Sequence, residues 1–458
     1  MRKHILTIFL LAGISGSLFA QRVTYPQLVA RSQAPEIFIE DLILPGNDSL
    51  TTLAFIFRFN NDFIPFKKLP VNHKYDLPAG AEFYSTIRLN AEIFEGKIGR
   101  KQQNSMNSVT RDYWADTLHT QSFEETQSRK KYASGFLRTE LPAGKYNFVL
   151  QLAMMQEVNE RNTQRQNIRI PDLSKSARGE VYLIRNVVKA GEQQEYVLMN
   201  MEKNVVFGKD FHVMIRIPQY ENGEKYTLKI HRARVNREDT TSAKEIYSSE
   251  LKQDDLFFKS VALLKNNQQP SLTLSNHENG YTYAVHKIPA NTFENAGYIL
   301  TVENEGTEKP VARRFFSTYW ADMPASLYNL DIAIEHLKYI IPEKEIERIN
   351  RGNSREREQK FRAFWDEKDP TPNTVYNELM AEYYRRIDYA YNEFGSQENP
   401  MGHENDQGEV YIKFGPPKNK ERRFPERNRT LEVWEYPNRT FIFEATTGFG
   451  DFKLVSTK

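Results

Sequence analysis

Residues 51–60 read TTLAFIFRFN, and the alternation within them decides the fold of the first part of the chain. Leu53, Phe55, Phe57 and Phe59 fall on one face of an extended strand, with Thr52, Ala54 and Arg58 on the other, because successive strand side chains point to opposite sides. The same period of two returns at Ile87, Leu89, Ala91 and Ile93 against Arg88, Asn90 and Glu92. It returns again at Tyr146, Phe148, Leu150 and Leu152 against Asn147, Val149 and Gln151. Ahead of that run, Leu141, Pro142, Ala143 and Gly144 form a turn in which Pro fixes φ and Gly tolerates positive values. One buried and one wet face per strand predicts an antiparallel β-sandwich over residues 21–170.

Moving outward, the polar stretch from Asn159 to Arg178, with Pro171 and few large apolar residues, predicts a linker. A second set of strands follows at Val181 to Val187, at Val213, Ile215 and Ile217, at Leu228 and Ile230, and at Tyr298 to Val302. These predict a second Ig-like sandwich over residues 179–318. Ile288, Pro289 and Ala290, with Gly297 and Tyr298 further on, echo Leu141 to Tyr146 and suggest two related domains in tandem.

From residue 319 the grammar becomes helical. Leu330, Ile334, Leu337 and Ile341 make one apolar stripe that Pro342 ends. A charged segment from Glu343 to Lys360 leads to Phe361, Phe364 and Trp365, and Asp369 to Pro372 break the chain. A second long helix is expected from about Thr374, carrying Tyr376, Met380, Tyr383, Ile387, Tyr391 and Phe394 and stopping at Gly395. From Glu409 the period of two returns in Val410, Ile412 and Phe414, then in Leu431 and Val433, then in Phe441 and Phe443. Helices followed by a small antiparallel sheet predict an α+β domain over residues 319–458.

At the other end, Arg2 and Lys3 precede sixteen uncharged residues from Ile5 to Ala20, the pattern of a secretory signal peptide cut before Gln21. Removing it leaves 60 basic against 60 acidic residues, a balance that argues against bulk attraction to nucleic acid or an anionic membrane. No later run is apolar enough to span a bilayer. The absence of cysteine excludes disulfides, thiolate metal sites, a cysteine nucleophile and a lipoprotein anchor.

The C-terminal stretch carries Gly402, His403, Glu404, Asn405 and Asp406, then Gly408, Val410, Tyr411, Ile412, Phe414, Gly415, Pro416 and Pro417. Val433, Trp434 and Tyr436 follow, then Phe441, Ile442 and Phe443, and finally Gly448 to Phe452. With Phe364, Trp365 and Asp369 to Pro372 upstream, this resembles the GWxTD-domain family of exported bacterial proteins, from about Trp320 to Val455. His403 stands where the family has Trp and Asn405 where it has Thr, so no role of that indole or hydroxyl carries over. The resemblance implies an envelope location and a modular plan, with no reaction, substrate or ligand attached. The layout of two helices and a small aromatic sheet also resembles the small lipoprotein of the outer-membrane barrel-assembly machinery, a binding accessory.

Asn405 to Gly408 admit two readings. One is a turn ahead of a strand, with Asp accepting backbone amides and Gly taking positive φ. The other makes Asp406 a general base or metal ligand beside His403 or Glu404. The second histidine of a zinc-binding spacing is missing, so neither metal nor cofactor is expected. Gly415, Pro416 and Pro417 are no phosphate loop, since proline removes the amide donors that cradle an anion. Lys418 to Arg429 hold a local excess of basic residues around Phe424, a contact for an acidic partner or lipid head group. Trp434 and Tyr436, with Arg422 and Arg423, are the expected binding residues. Together these predict a noncatalytic periplasmic protein with an envelope or outer-membrane protein partner and no nucleic acid. The alternative is a hydrolase of envelope polymers using Asp406 with His403 or Glu404.

Overall fold

The computed structural model describes residues 23–458 except 33–35, 48, 75, 77, 99–106, 156–160, 192, 234–243, 268, 291–292, 306, 308, 397–398, 426–429 and 446–451. The expected signal at residues 1–20 lies outside the described residues. Two compact units divide the chain. Residues 35–320 form a β unit, and residues 321–458 form a C-terminal unit that also takes in the first described helix, α1 (Tyr25–Ser32). The expected domains at 21–170 and 179–318 fall within the β unit from residue 35 onward.

The β unit opens with β1 (Ile37–Pro45) and β2 (Thr51–Asn60), followed by β3 (Lys67–Lys68), β4 (Phe83–Glu95) and β5 (Ser108–Thr120). The short helix α2 (Phe123–Thr126) precedes β6 (Tyr132–Leu141), β7 (Gly144–Met154), β8 (Arg161–Asn162) and β9 (Gln166–Ile170). β1, β2 and β6 form one sheet, and β4 pairs β3, β5 and β7 in another that β8 and β9 extend. The middle of the expected linker is therefore sheet: Gly144 pairs with Ile170 and Phe148 with Gln166.

Next come β10 (Glu180–Ala190), β11 (Gln193–Leu198), β12 (Asn204–Val206), β13 (Phe211–Ile217), β14 (Tyr226–Arg232) and β15 (Glu245–Glu250). Then follow β16 (Leu256–Asn267), β17 (Gln269–Asn276), β18 (Tyr281–Ile288), β19 (Gly297–Asn304) and β20 (Ala312–Tyr319). Strands β10, β11, β17, β16, β18 and β13 close into a six-stranded barrel, and β12, β20, β19, β14 and β15 form a five-stranded sheet. All pairings in these sheets are antiparallel except β12 with β20.

The face of β2 expected to be wet is buried. Leu53, Phe55 and Phe57 pack with Leu89, Ile93 and Leu150 of the neighbouring sheet, as the alternation predicts. Ala54 and Ile56, on the opposite face, pack with Leu42, Tyr182, Ile184, Met214 and Tyr283 around the barrel. The Tyr182 hydroxyl donates to Ile43 O at 2.6 Å and the Asn200 amide to Phe57 O at 2.8 Å, so backbone acceptors at this seam are satisfied. The echo at Tyr146 and Tyr298 has a physical basis. Each hydroxyl donates to the carbonyl four residues upstream, Pro142 at 3.1 Å and Glu294 at 3.0 Å.

In the C-terminal unit the stripe beginning at Leu330 is not one helix. It is α3 (Leu330–Glu335), capped by Asn329, followed by a 3₁₀ turn at His336–Tyr339. The charged segment folds as α4 (Glu343–Asn350) and α5 (Ser354–Asp366), the latter started by an Asn353–Glu356 capping box. Helix α6 (Glu378–Phe394) starts at an Asn377 cap and ends at Gly395, as the sequence predicts for its end. Residues 409–414, expected as a strand, are instead part of α7 (Asp406–Phe414). Val410 and Ile412 suit either structure by type, but the Asn405 cap and Gly415 at φ 76° bound a helix. Strands β21 (Asn419–Arg423), β22 (Leu431–Tyr436), β23 (Arg439–Ala445) and β24 (Phe452–Thr457) complete an antiparallel sheet in that order. No helix among the described residues is long and apolar enough to cross a membrane.

Candidate functional site

The stretch from Gly402 to Gly408 ties the end of α6 to the start of α7. A Cβ on Gly402 would meet Ala390 O and Gly395 N, both at 2.4 Å, and one on Gly408 would meet Gly402 O at 2.1 Å. Only glycine lets these backbone segments touch. Asn405 caps α7, its side-chain oxygen accepting from Gly408 N at 2.8 Å, while its amide donates to Phe394 O at the end of α6. It thus keeps the capping duty that a Thr hydroxyl can perform. Asp406 accepts from Leu454 N at 2.7 Å, fastening the first turn of α7 to β24. This corrects the expected turn, because the carboxylate bonds across to another strand rather than to its own loop.

His403 is buried, and its ring lies edge-on to Tyr25 at 4.9 Å and 5.1 Å from the His336 ring. Its backbone carbonyl accepts from the Tyr339 hydroxyl at 2.7 Å. Burial pushes the imidazole of His403 down to about 4 and that of His336 to about 3, so both are neutral at pH 7. Glu404 instead lies at the surface, in an ion pair with Lys338 at 3.0 Å. The three side chains named for acid–base chemistry therefore have three separate sets of partners. Among the described residues, no group of three or more His, Asp and Glu is placed to hold a metal ion.

Gly415 ends α7, its N–H donating to Tyr411 O at 2.7 Å and its carbonyl accepting from the Tyr436 hydroxyl at 2.7 Å. Pro416 and Pro417 then lead out toward β21. Trp434 is 1% exposed and packs against Phe394 and Phe443, so it belongs to the core rather than to an open binding face. Of the basic run, Arg427 and Arg429 lie outside the described residues. Lys420 and Arg422 are committed to Glu432, and Arg423 to Glu421, so the patch is less cationic than its composition implies.

Glu432 is a residue that sequence reasoning missed. At 1% exposure it accepts from Gln407 Nε2 at 2.8 Å, Trp434 Nε1 at 2.8 Å, Arg422 Nε at 2.9 Å and Lys420 Nζ at 3.0 Å. Burial alone would raise its carboxyl, but hydrogen bonds from Arg422, Trp434 and Lys420 outweigh it and hold the group below its ordinary value. The signal that could have found it is its position, an acid between Leu431 and Val433 in an apolar strand facing a run of basic residues. Asp388 and Tyr25 were missed as well, and their hydroxyl–carboxylate bond of 2.6 Å is half-buried at the core that holds Tyr25.

The family model of the GWxTD domain matches residues 298–453, so the C-terminal part of the chain carries that domain. The matched stretch also takes in β19 and β20, which fold with the β unit. No curated protein matches the chain. Similar solved structures include red sea bream transglutaminase, at 8% identity and a TM-score of 0.16, over 61% of this chain and 31% of that one. Another is the C-terminal domain of the Streptococcus agalactiae AgI/II polypeptide BspA, at 8% identity and a TM-score of 0.15, over 62% of this chain and 100% of that one. The chain thus spans under a third of the transglutaminase, and at these TM-scores neither likeness carries an argument.

Proposed function

We propose that the protein is a noncatalytic component of the bacterial cell envelope, exported by the signal at residues 1–20 and acting as a binding or scaffold protein. The observation that carries this reading is the use made of the family motif. Gly402 and Gly408 permit backbone contact, Asn405 caps a helix, and Asp406 holds a strand. Side chains so engaged serve the fold rather than a substrate. The β regions are read as Ig-like because Tyr146 and Tyr298, each at the start of a strand, bond back to upstream backbone in the manner of a tyrosine corner. Phe424, 75% exposed at the end of the charged edge strand β21, is the side chain best placed to meet a partner.

Crosslinking in intact cells tests this. The full chain is expected to capture one discrete membrane or secretion protein, and Phe424→Asp to lose that capture while keeping its melting profile. Recovery of no partner would sink the reading. Fractionation should place the protein in the envelope with an N-terminus at Gln21, and a cytoplasmic, unprocessed chain would overturn the localisation.

A further inference from the structure

The stretch matched by the domain family does not contain every element of the C-terminal core. Helix α1 lies far upstream of residue 298, yet its Tyr25, Leu28 and Val29 are buried in one cluster with Leu337, Ile387 and Ala390. Their spacing of three and four residues puts them on one helix face. The Tyr25 hydroxyl donates to Asp388 Oδ1 at 2.6 Å, and Asp388 Oδ2 accepts from Ala325 N at 2.8 Å. The Tyr25 ring meets His336 at 4.6 Å, His403 at 4.9 Å and Tyr391 at 5.3 Å, each edge to face. Without α1, the half-buried Asp388 carboxylate loses the Tyr25 hydroxyl as a donor and the two neutral imidazoles lose the cover of the Tyr25 ring.

The helix carries its own start signal. Gln27 Oε1 accepts from Thr24 N at 2.9 Å, the returning half of a capping box, and Pro26 sits in the first turn, where its missing N–H costs nothing. Eight residues are too few to hold a helix in water by themselves, so α1 takes its form from the seat. The helix carries Arg31 and no acid, and so adds no second carboxylate beside Asp388.

We propose that the C-terminal unit contains a helix-binding seat, framed by Ala325, His336, Asp388, Tyr391 and His403, whose ligand is a short amphipathic helix bearing Tyr and, three and four residues later, Leu and Val. Residues 23–32 fill it in cis. The GWxTD domain of this chain is therefore completed by a segment outside the matched stretch. Seat and ligand lie in one chain, so failure to find an external partner leaves this assignment untouched.

The test uses the full chain, a chain lacking residues 21–32, and a labelled peptide of residues 23–32. The shortened chain should bind the peptide saturably, and the full chain at least tenfold more weakly because its seat is taken. A Tyr25→Ala peptide should lose at least tenfold in affinity. No saturable binding by a folded shortened chain, or equal binding by both chains, overturns the proposal. Should the shortened chain fail to fold, Leu28→Asp in the full chain replaces it. Hydrogen exchange should then rise across residues 325–340 and 387–403 and stay unchanged in the β unit, and unchanged exchange at the seat overturns the proposal. Dimers in which α1 fills the seat of a second copy would overturn the cis assignment.

Discussion

The β unit and the C-terminal unit close their cores by different means. In the β unit, backbone groups pair along ladders, and the core is made by stacking apolar faces on both sides of β2. In the C-terminal unit, helices of six to seventeen residues leave many unpaired ends, and buried side chains answer them. Tyr339 donates to His403 O, Tyr383 to His336 O, Tyr384 to Ala333 O and Asn377 to Trp365 O. A core built from ladders tolerates the loss of one polar side chain. A core built from tied helix ends depends on each of them.

The contrast can be broken at four places. Ile56→Ala, at the doubly covered strand, is expected to cost about 3.5 kcal/mol. If the β unit is one cooperative body, calorimetry should show its whole transition shifted, with the C-terminal transition unmoved. A split into two β transitions would mean the two sets of sheets unfold separately. Gly402→Ala forces a Cβ against two backbone atoms that cannot turn aside, at a cost of about 3 kcal/mol, and should lower the C-terminal transition alone.

Acid should separate the units further. The folded pKa values of His336 and His403 lie below the ordinary 6.5, so their contribution is complete above pH 6.5 and is lost as the pH falls toward about 3 for His336 and about 4 for His403. The loss is about 1.4 kcal/mol per pH unit for each group. Asp388, raised by burial to about 6, acts in the opposite sense and regains stability as it protonates below that value. The C-terminal unit should therefore lose about 2 kcal/mol between pH 7 and 5.5. In the β unit, burial raises Glu36, Asp62 and Glu202, so acid relieves their cost, and this offsets the stability lost at His212, the histidine that burial lowers there. Urea titrations at the two pH values check this, and equal losses in the two units would erase the distinction.

The smallest effect sharpens the contrast most. Asn405→Ala should cost about 1 kcal/mol, while Asn405→Thr, which keeps a capping oxygen, should stay within about 0.5 kcal/mol. A larger loss for Thr would show that the amide bond to Phe394 O matters more than the cap.

Legibility followed the same divide. Alternation located β2, β4, β7, β13, β14 and β19, because a ladder imposes period two whatever lies opposite. It misjudged the second face of β2, since Ala54 and Thr52 look indifferent until another sheet covers them. In the C-terminal unit the end of α6 was readable from Gly395, but α7 was not, because Val410 and Ile412 favour strands by type and only the Asn405 cap opposes them. Glu432 and Asp388 escaped notice because their partners lie far off in sequence or on another strand. Helix α1 left a local mark, Thr24 and Gln27 around Pro26, too short to stand out.

The bond between Tyr25 and Asp388 spans 363 residues. The first described helix therefore cannot reach its seat until the intervening residues up to Asp388 have been made. A chain cut short anywhere before residue 388 leaves α1 without its seat. The core of the C-terminal unit therefore joins two segments that lie far apart in the chain, α1 and residues 325–403.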